Sequence, residues 1–181
     1  MPSAPSVSVS ITGSGLFTPP ASITNAELAA SLTVSVEKWN ADHAVDIAAG
    51  TVGARELPDE TFIEKASGIA SRYVMEKSGV LDPDRMRPIL PLRSEDELGV
   101  QAEMSMPAIL DALVQAGRRS SDVDAVIVGC SNLQRAYPAV AIEVQNALGA
   151  GGWAFDMNVA CSSATFSIQN AVDALRNGTA S

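Results

Sequence analysis

The sequence predicts an α/β fold with a mainly parallel sheet and helices on both faces. Three observations carry that prediction. Asp124-Ala-Val-Ile-Val-Gly129 and Trp153–Val159 are apolar runs of strand length, each followed by apolar residues at helical spacing. An alternating run, Val7-Ser-Val-Ser-Ile-Thr12, comes before them and ends at Gly13-Ser14-Gly15. Strands that alternate with helices in this way belong to layered α/β domains, where the crossover helices cover the sheet.

Taken in order, Val7–Thr12 reads as a first strand closed by a glycine turn. Thr24 stands three residues before Glu27, the spacing of a capping box, so a helix starts there and runs to about Leu32. Residues 36–50 read as a second, more polar helix ending near Gly50. Phe62–Gly68 is a helical turn stopped by glycine, and Arg72–Met75 is a short strand. Three prolines among many charges between Gly79 and Glu97 mark an excursion without core structure. From Leu98 the positions Ala102, Ile109, Leu110, Leu113 and Val114 return at helical spacing up to Gly117, with a kink or restart expected at Pro107. Asp124–Gly129 follows as a parallel strand buried on both faces. Pro138 then opens a helix through Val140, Val144 and Leu148 to Gly149. After the Trp153–Val159 strand, Ile168, Ala171, Val172 and Leu175 mark a last helix that stops at Gly178.

The 181 residues are 46% hydrophobic and 4% aromatic, enough for a core of one domain. The 21 acidic residues outnumber the 12 basic ones, for a net charge of −9 with no basic stripe, which argues against nucleic acid. No apolar run reaches the roughly 20 residues of a membrane span, so no membrane contact is expected. Met1-Pro-Ser-Ala-Pro-Ser lacks the charged and apolar regions of a secretory signal, and the expected location is the cytoplasm. Cys130 and Cys161 have no metal-ligand spacing and are expected as free thiols; no metal and no cofactor is expected.

Cys161 is the candidate for chemistry. It falls between a strand and the helix that follows, where parallel α/β folds place ligand-facing residues. A helix N-terminus there offers partial positive charge and free amide donors that favour a thiolate. The small neighbours Ala160, Ser162, Ser163 and Ala164 leave room for a substrate. Position alone leaves two readings open, a nucleophile or a structural thiol packed in the core. Cys130, in Gly129-Cys130-Ser131-Asn132, reads as structural. Gly13-x-Gly15 lacks the third glycine of a phosphate loop and reads as a turn. His43, the single histidine, reads as a solvated helix residue.

Three segments together resemble the type III 3-oxoacyl-[acyl-carrier-protein] synthases of the thiolase superfamily, including the medium-chain (beta-ketodecanoyl) variants. They are Ile11-Thr-Gly-Ser-Gly-Leu-Phe-Thr-Pro19 with Thr24-Asn25; Asp124–Asn132 with Tyr137–Gly149; and Ala154-Phe-Asp-Met-Asn-Val-Ala-Cys-Ser162. The last is the most specific. The resemblance spans residues 1–181 as one nucleophile-bearing N-terminal half of a thiolase-like fold, with insertions near 36–60 and 76–97.

By this resemblance Cys161 accepts an acyl group from acyl-coenzyme A, and decarboxylative condensation with malonyl-acyl carrier protein follows in fatty-acid synthesis. It implies a homodimer in which Tyr137 reaches the partner's acyl pocket, and a pocket-lining role for Ser131. Phe62 stands near the family's adenine-stacking tryptophan, and Ala66 takes the place of an arginine that binds coenzyme A. Ser163 replaces a usual glycine. Ala164 replaces a bulky aromatic, which would deepen the acyl channel. The family's decarboxylating histidine and asparagine belong to the second half of its duplicated fold. These 181 residues are therefore expected to lack condensing activity by themselves. The alternatives are another thiolase-superfamily acyl transfer, or a non-catalytic half-chain that serves as an interaction module.

Overall fold

The computed structural model describes residues 7–94 and 96–181. It divides into two compact units, Thr18–Leu92 and a second formed by the segment ending at Phe17 together with Arg93–Ser181.

In the Thr18–Leu92 unit, β1 (Ala21–Thr24) pairs antiparallel with β2 (Ser71–Val74), with Ile23 opposite Arg72. Helix α1 (Asn25–Asp42) starts at the capping box that the sequence announces. The Glu27 amide donates to Thr24 Oγ1 at 3.2 Å and the Thr24 amide to Glu27 Oε2 at 2.9 Å. The helix does not stop near Leu32. No glycine or proline interrupts residues 32–42, and Val36 is buried, so one helix covers residues assigned to two. Only the short α2 (Ala44–Ala48) follows. Helix α3 (Glu60–Ser67) is capped by the Asp59 carboxylate and ends at Gly68, whose φ of 71° is the left-handed stop that glycine adopts freely. The buried Asn25 joins α1 to β2: its amide donates to the Ile69 carbonyl at 2.7 Å, and its oxygen accepts from Arg72 at 2.8 Å. Residues 75–92 form neither helix nor strand. The Glu76 carboxylate gathers them by accepting from the amides of Gly79 at 2.9 Å and Ile89 at 2.7 Å.

The other unit holds α4 (Val100–Ala116), a 3-10 turn (Ser120–Asp122), β3 (Ala125–Gly129), α5 (Val140–Leu148), β4 (Trp153–Met157) and α6 (Ser163–Arg176). β3 and β4 are parallel, with Val126 opposite Ala154 and Gly129 opposite Met157. The pleat alternation separates two faces. Val126, Val128 and Ala154 join Ala102, Val140, Ala141 and Val144 in the apolar core under α4 and α5. On the opposite face a Cβ on Gly129 would meet Ser163 and Ser167 of α6, and Trp153 Nε1 donates to the Thr179 carbonyl beyond α6 at 3.1 Å. Helices thus cover both faces. Val140 and Val144 are fully buried, each worth about 1.5–3 kcal/mol of apolar transfer.

Four expectations are corrected in this unit. Val7–Thr12 forms no strand, because no described strand supplies its backbone with a ladder partner. Instead Gly13 and Gly15 lie so close to α4 that a Cβ on either would run into the carbonyls of Ala112 and Ala108. Their glycine identity is a packing requirement, neither a turn nor a phosphate loop. Of the two outcomes expected at Pro107, the restart does not occur, since α4 runs through it as one helix. β3 is not buried on both faces: of its five residues Val126 alone is buried, and the rest are half-buried or exposed. Within α4, Leu110 and Val114 are exposed, while Ala102, Met106 and Ile109 carry the packing.

Candidate functional site

The carboxyl ends of β3 and β4 lie side by side, because the Cys130 amide extends the ladder by donating to the Met157 carbonyl at 3.0 Å. Two loops leave from this edge. The longer, residues 130–139, leads to α5; the shorter, residues 158–162, leads to α6. Cys161 sits on the shorter one, exposed, one residue before the Ser162 N-cap of α6. No side chain caps that N-terminus.

The backbone before Cys161 is strained. Ala160 has φ of 47°, in the left-handed region that alanine avoids at a cost of about 1–3 kcal/mol. A tight turn accompanies it: the Ser162 amide donates to the Val159 carbonyl at 3.0 Å, and Val159 and Cys161 form an isolated bridge. The Ser163 hydroxyl spans the same turn. It accepts from the Val159 amide at 2.9 Å and donates to the Ala160 carbonyl at 2.8 Å. Ser163 is 3% exposed, so water does not compete for these bonds.

Cys130 is in a different setting. It is half-buried, and its sulfur accepts from Gln101 Nε2 at 3.3 Å and from the Asn132 amide at 3.4 Å. Gln101, in the first turn of α4, brackets the longer loop: Nε2 also donates to the Asn132 carbonyl at 2.7 Å, and Oε1 accepts from the Gln134 amide at 2.8 Å. Arg135 pairs with Glu143 and donates from Nε to the Pro138 carbonyl at 3.0 Å. α5 has an alanine, Ala139, as its N-cap. The missing cap comes from across the sheet, where the Asp156 carboxylate accepts from the amides of Val140 and Ala141, both at 2.8 Å.

Of the residues singled out from the sequence, Ser131, Cys161 and Ala164 share the carboxyl end of the parallel pair, and all three are exposed. Tyr137 lies on the longer loop and is 89% exposed. Phe62 is on α3, in the other unit, and is 66% exposed. A groove of about 870 Å³ is lined by Val7–Ser10, Thr12 and Gly13, by α4, and by Leu175 of α6 with Ala180 and Ser181 beyond it, and Cys161 is not part of its wall. Sequence reasoning missed Ser163, Asp156 and Gln101. A signal existed for Asp156, a carboxylate alone in an apolar strand that follows a helix with no cap residue of its own. Ser163 stood out only as a small neighbour of Cys161 where a glycine is usual, which says nothing of its hydroxyl bonds, and Gln101 gave no signal.

Over 150 residues, 83% of this chain, the sequence is 55% identical to the beta-ketodecanoyl-[acyl-carrier-protein] synthase of Pseudomonas aeruginosa. The chain is homologous to the 3-oxoacyl-[acyl-carrier-protein] synthase III family. The beta-ketoacyl-[acyl-carrier-protein] synthase III of Shewanella oneidensis is 32% identical over 123 residues, 65% of this chain and 34% of that protein. The chain spans 43% of the length of the Pseudomonas relative, so it corresponds to less than half of such a synthase. No family model matches it. Its fold is thiolase-like. It superposes on 3-oxoacyl-[acyl-carrier-protein] synthase III from Aquifex aeolicus with a TM-score of 0.62 at 21% identity, covering 94% of this chain and 41% of that one. For a variant of Xanthomonas campestris OleA the TM-score is 0.64 at 16% identity, covering 93% of this chain and 40% of that one. Among the described residues no helix is long and apolar enough to cross a membrane.

Proposed function

We propose that these residues form the acyl-accepting part of a condensing enzyme of fatty-acid synthesis, with Cys161 as the nucleophile. The observation that carries this reading is the placement of Cys161, exposed on a strained turn at the carboxyl end of β4 and at the start of α6. The sulfur attacks the thioester carbonyl of an acyl-coenzyme A. A carbon–sulfur bond to Cys161 forms, the bond to coenzyme A breaks, and the thiol proton ends on the departing coenzyme A thiol. Covalent loading divides one difficult transfer into two easier ones.

The loaded acyl group would then condense with malonyl-acyl carrier protein, with loss of carbon dioxide. His43, the one histidine of the sequence, is engaged elsewhere: its ring stacks on Trp39 at 4.1 Å, and Nδ1 lies 2.8 Å from the Trp39 carbonyl. We therefore assign the decarboxylating step to residues outside these 181. Ser131 and Ala164 lie at the Cys161 end of the sheet and would line the acyl channel. The exposed Tyr137 would reach a second copy in a homodimer, and Phe62 would contact the adenine of coenzyme A. A cytoplasmic location fits these substrates.

The test incubates the 181-residue chain with acyl-coenzyme A and malonyl-acyl carrier protein. Mass spectrometry should find acyl-Cys161 and no 3-oxoacyl product. A 3-oxoacyl product from this chain alone would overturn the division of labour, and failure to load Cys161 would overturn the nucleophile assignment.

A further inference from the structure

We propose that Ser163 is the positioning residue for Cys161, its buried hydroxyl clamping the Val159–Ala160 turn and thereby fixing the direction in which Cys161 leaves the backbone. The inference rests on the reading of Cys161 as the acyl acceptor. It assigns Ser163 no contact with substrate or reacting atoms.

Ala160 has neither the freedom of glycine nor a polar side chain that could satisfy a left-handed residue locally. Something outside it must hold its φ of 47°. The Ser163 hydroxyl is suited to that, since it binds both sides of the strained residue: it accepts from the Val159 amide at 2.9 Å and donates to the Ala160 carbonyl at 2.8 Å. The Ser163 amide adds a second donor to that carbonyl at 3.2 Å. Cys161 lies between the clamped residues and the clamp, so a change in the turn re-aims its side chain.

Ser163 is itself held from the sheet. Its carbonyl accepts from Ser167 Oγ at 2.8 Å, and a Cβ on Gly129 would lie 3.0 Å from that carbonyl and 2.6 Å from Ser167 Oγ. The bare backbone of Gly129 lets α6 come close enough to β3 to bring the hydroxyl over the turn. Position is thus passed from β3 through α6 to the nucleophile, a route that a glycine at residue 163 could not provide.

The test uses the full chain with Ser163→Ala, and Ser67→Ala as a control that removes a hydroxyl-to-carbonyl bond within a helix of the other unit. Two rates are followed in each: acyl transfer to Cys161 from acyl-coenzyme A, and alkylation of Cys161 and Cys130 by iodoacetamide, resolved by peptide mass spectrometry. In Ser163→Ala the maximal acylation rate should fall about 10- to 100-fold, with the half-saturating acyl-coenzyme A concentration unchanged, as for a misdirected nucleophile. Alkylation of Cys161 should slow while that of Cys130 holds, and Ser67→Ala should leave both rates near wild type. Unchanged Cys161 rates in Ser163→Ala, or equal changes at both cysteines, would overturn the clamp. If wild-type Cys161 takes no acyl group but Ser163→Ala still slows its alkylation alone, the clamp stands and the acyl-acceptor reading falls.

Discussion

Cys130 and Cys161 both lie past the carboxyl ends of neighbouring parallel strands, yet their surroundings differ in kind. Cys130 is half-buried, its sulfur accepting from Gln101 and Asn132 while the bracketing bonds of Gln101 hold its loop. Cys161 is exposed, and the bonds around it hold the backbone on either side and leave the sulfur open. The difference teaches that a strand end keeps its side chain open to solvent when its neighbours constrain the main chain without occupying that side chain. The same strand end becomes structural when they bind the side chain itself.

The comparison can be broken most severely at Gly129, where the two loops meet. Gly129→Ala places a Cβ 2.6 Å from Ser167 Oγ, so α6 must move. We expect a loss of about 1–3 kcal/mol in stability by thermal unfolding, with slower Cys161 alkylation. Unaltered stability would mean that α6 is free to slide on β3.

Asp156→Ala comes next. It strips the Val140 and Ala141 amides of their acceptor and should destabilise the fold by about 1–2 kcal/mol. Asp156→Asn keeps one acceptor oxygen and should lose less. Equal losses in denaturant titrations would contradict the capping role.

Gln101→Ala sharpens the contrast from the other side. Without its Nε2 donor and its loop bracket, Cys130 should be alkylated several-fold faster, since opening its loop requires breaking about one to two fewer hydrogen bonds of ordinary strength. Cys161 should be unaffected. A Cys130 rate equal to wild type would show that burial alone protects it.

The smallest effect belongs to the other unit. Hydrogen bonding to Lys77 first, and then to Thr24, lowers the Glu27 carboxyl from 4.5 to about 2. A carboxyl depressed on folding contributes stability that is complete above the unfolded value and is lost as pH falls through the folded one. Thermal stability should therefore decline from pH 4.5 towards 2. Glu27→Gln should flatten part of that decline and leave the ratio of Cys161 to Cys130 alkylation unchanged. Glu76 and Asp122, each held at about 2 by hydrogen bonds, are among the carboxylates that keep part of the slope. An identical pH profile in Glu27→Gln would remove the capping box from the acid response.

Much of this was legible from local signals. Thr24 and Glu27 fixed a helix start, and Gly68, Gly117 and Gly149 marked helix ends, because each signal acts within one turn of chain. The strands 125–129 and 153–157 stood out as apolar runs between helical periods, and Cys161 stood out by its place between strand and helix. The remainder depended on partners distant in sequence. Alternation in Val7–Thr12 describes a strand's faces but not the presence of a strand to pair with. Asp156 caps a helix that precedes it by 15 and 16 residues, and Gln101 reaches loop residues about 30 positions away. Ser163 looked like one small residue among several, and only the buried geometry of its hydroxyl separates it from Ser162.

The central claim is tested most directly by exposing the chain to a limiting amount of acyl-coenzyme A and locating the acyl group by peptide mass spectrometry. The account predicts acyl thioester on the peptide carrying Cys161 and none on the peptide carrying Cys130, with loading abolished in Cys161→Ala and retained in Cys130→Ala. Acyl groups distributed equally between the two thiols, or loading that survives Cys161→Ala, would contradict it.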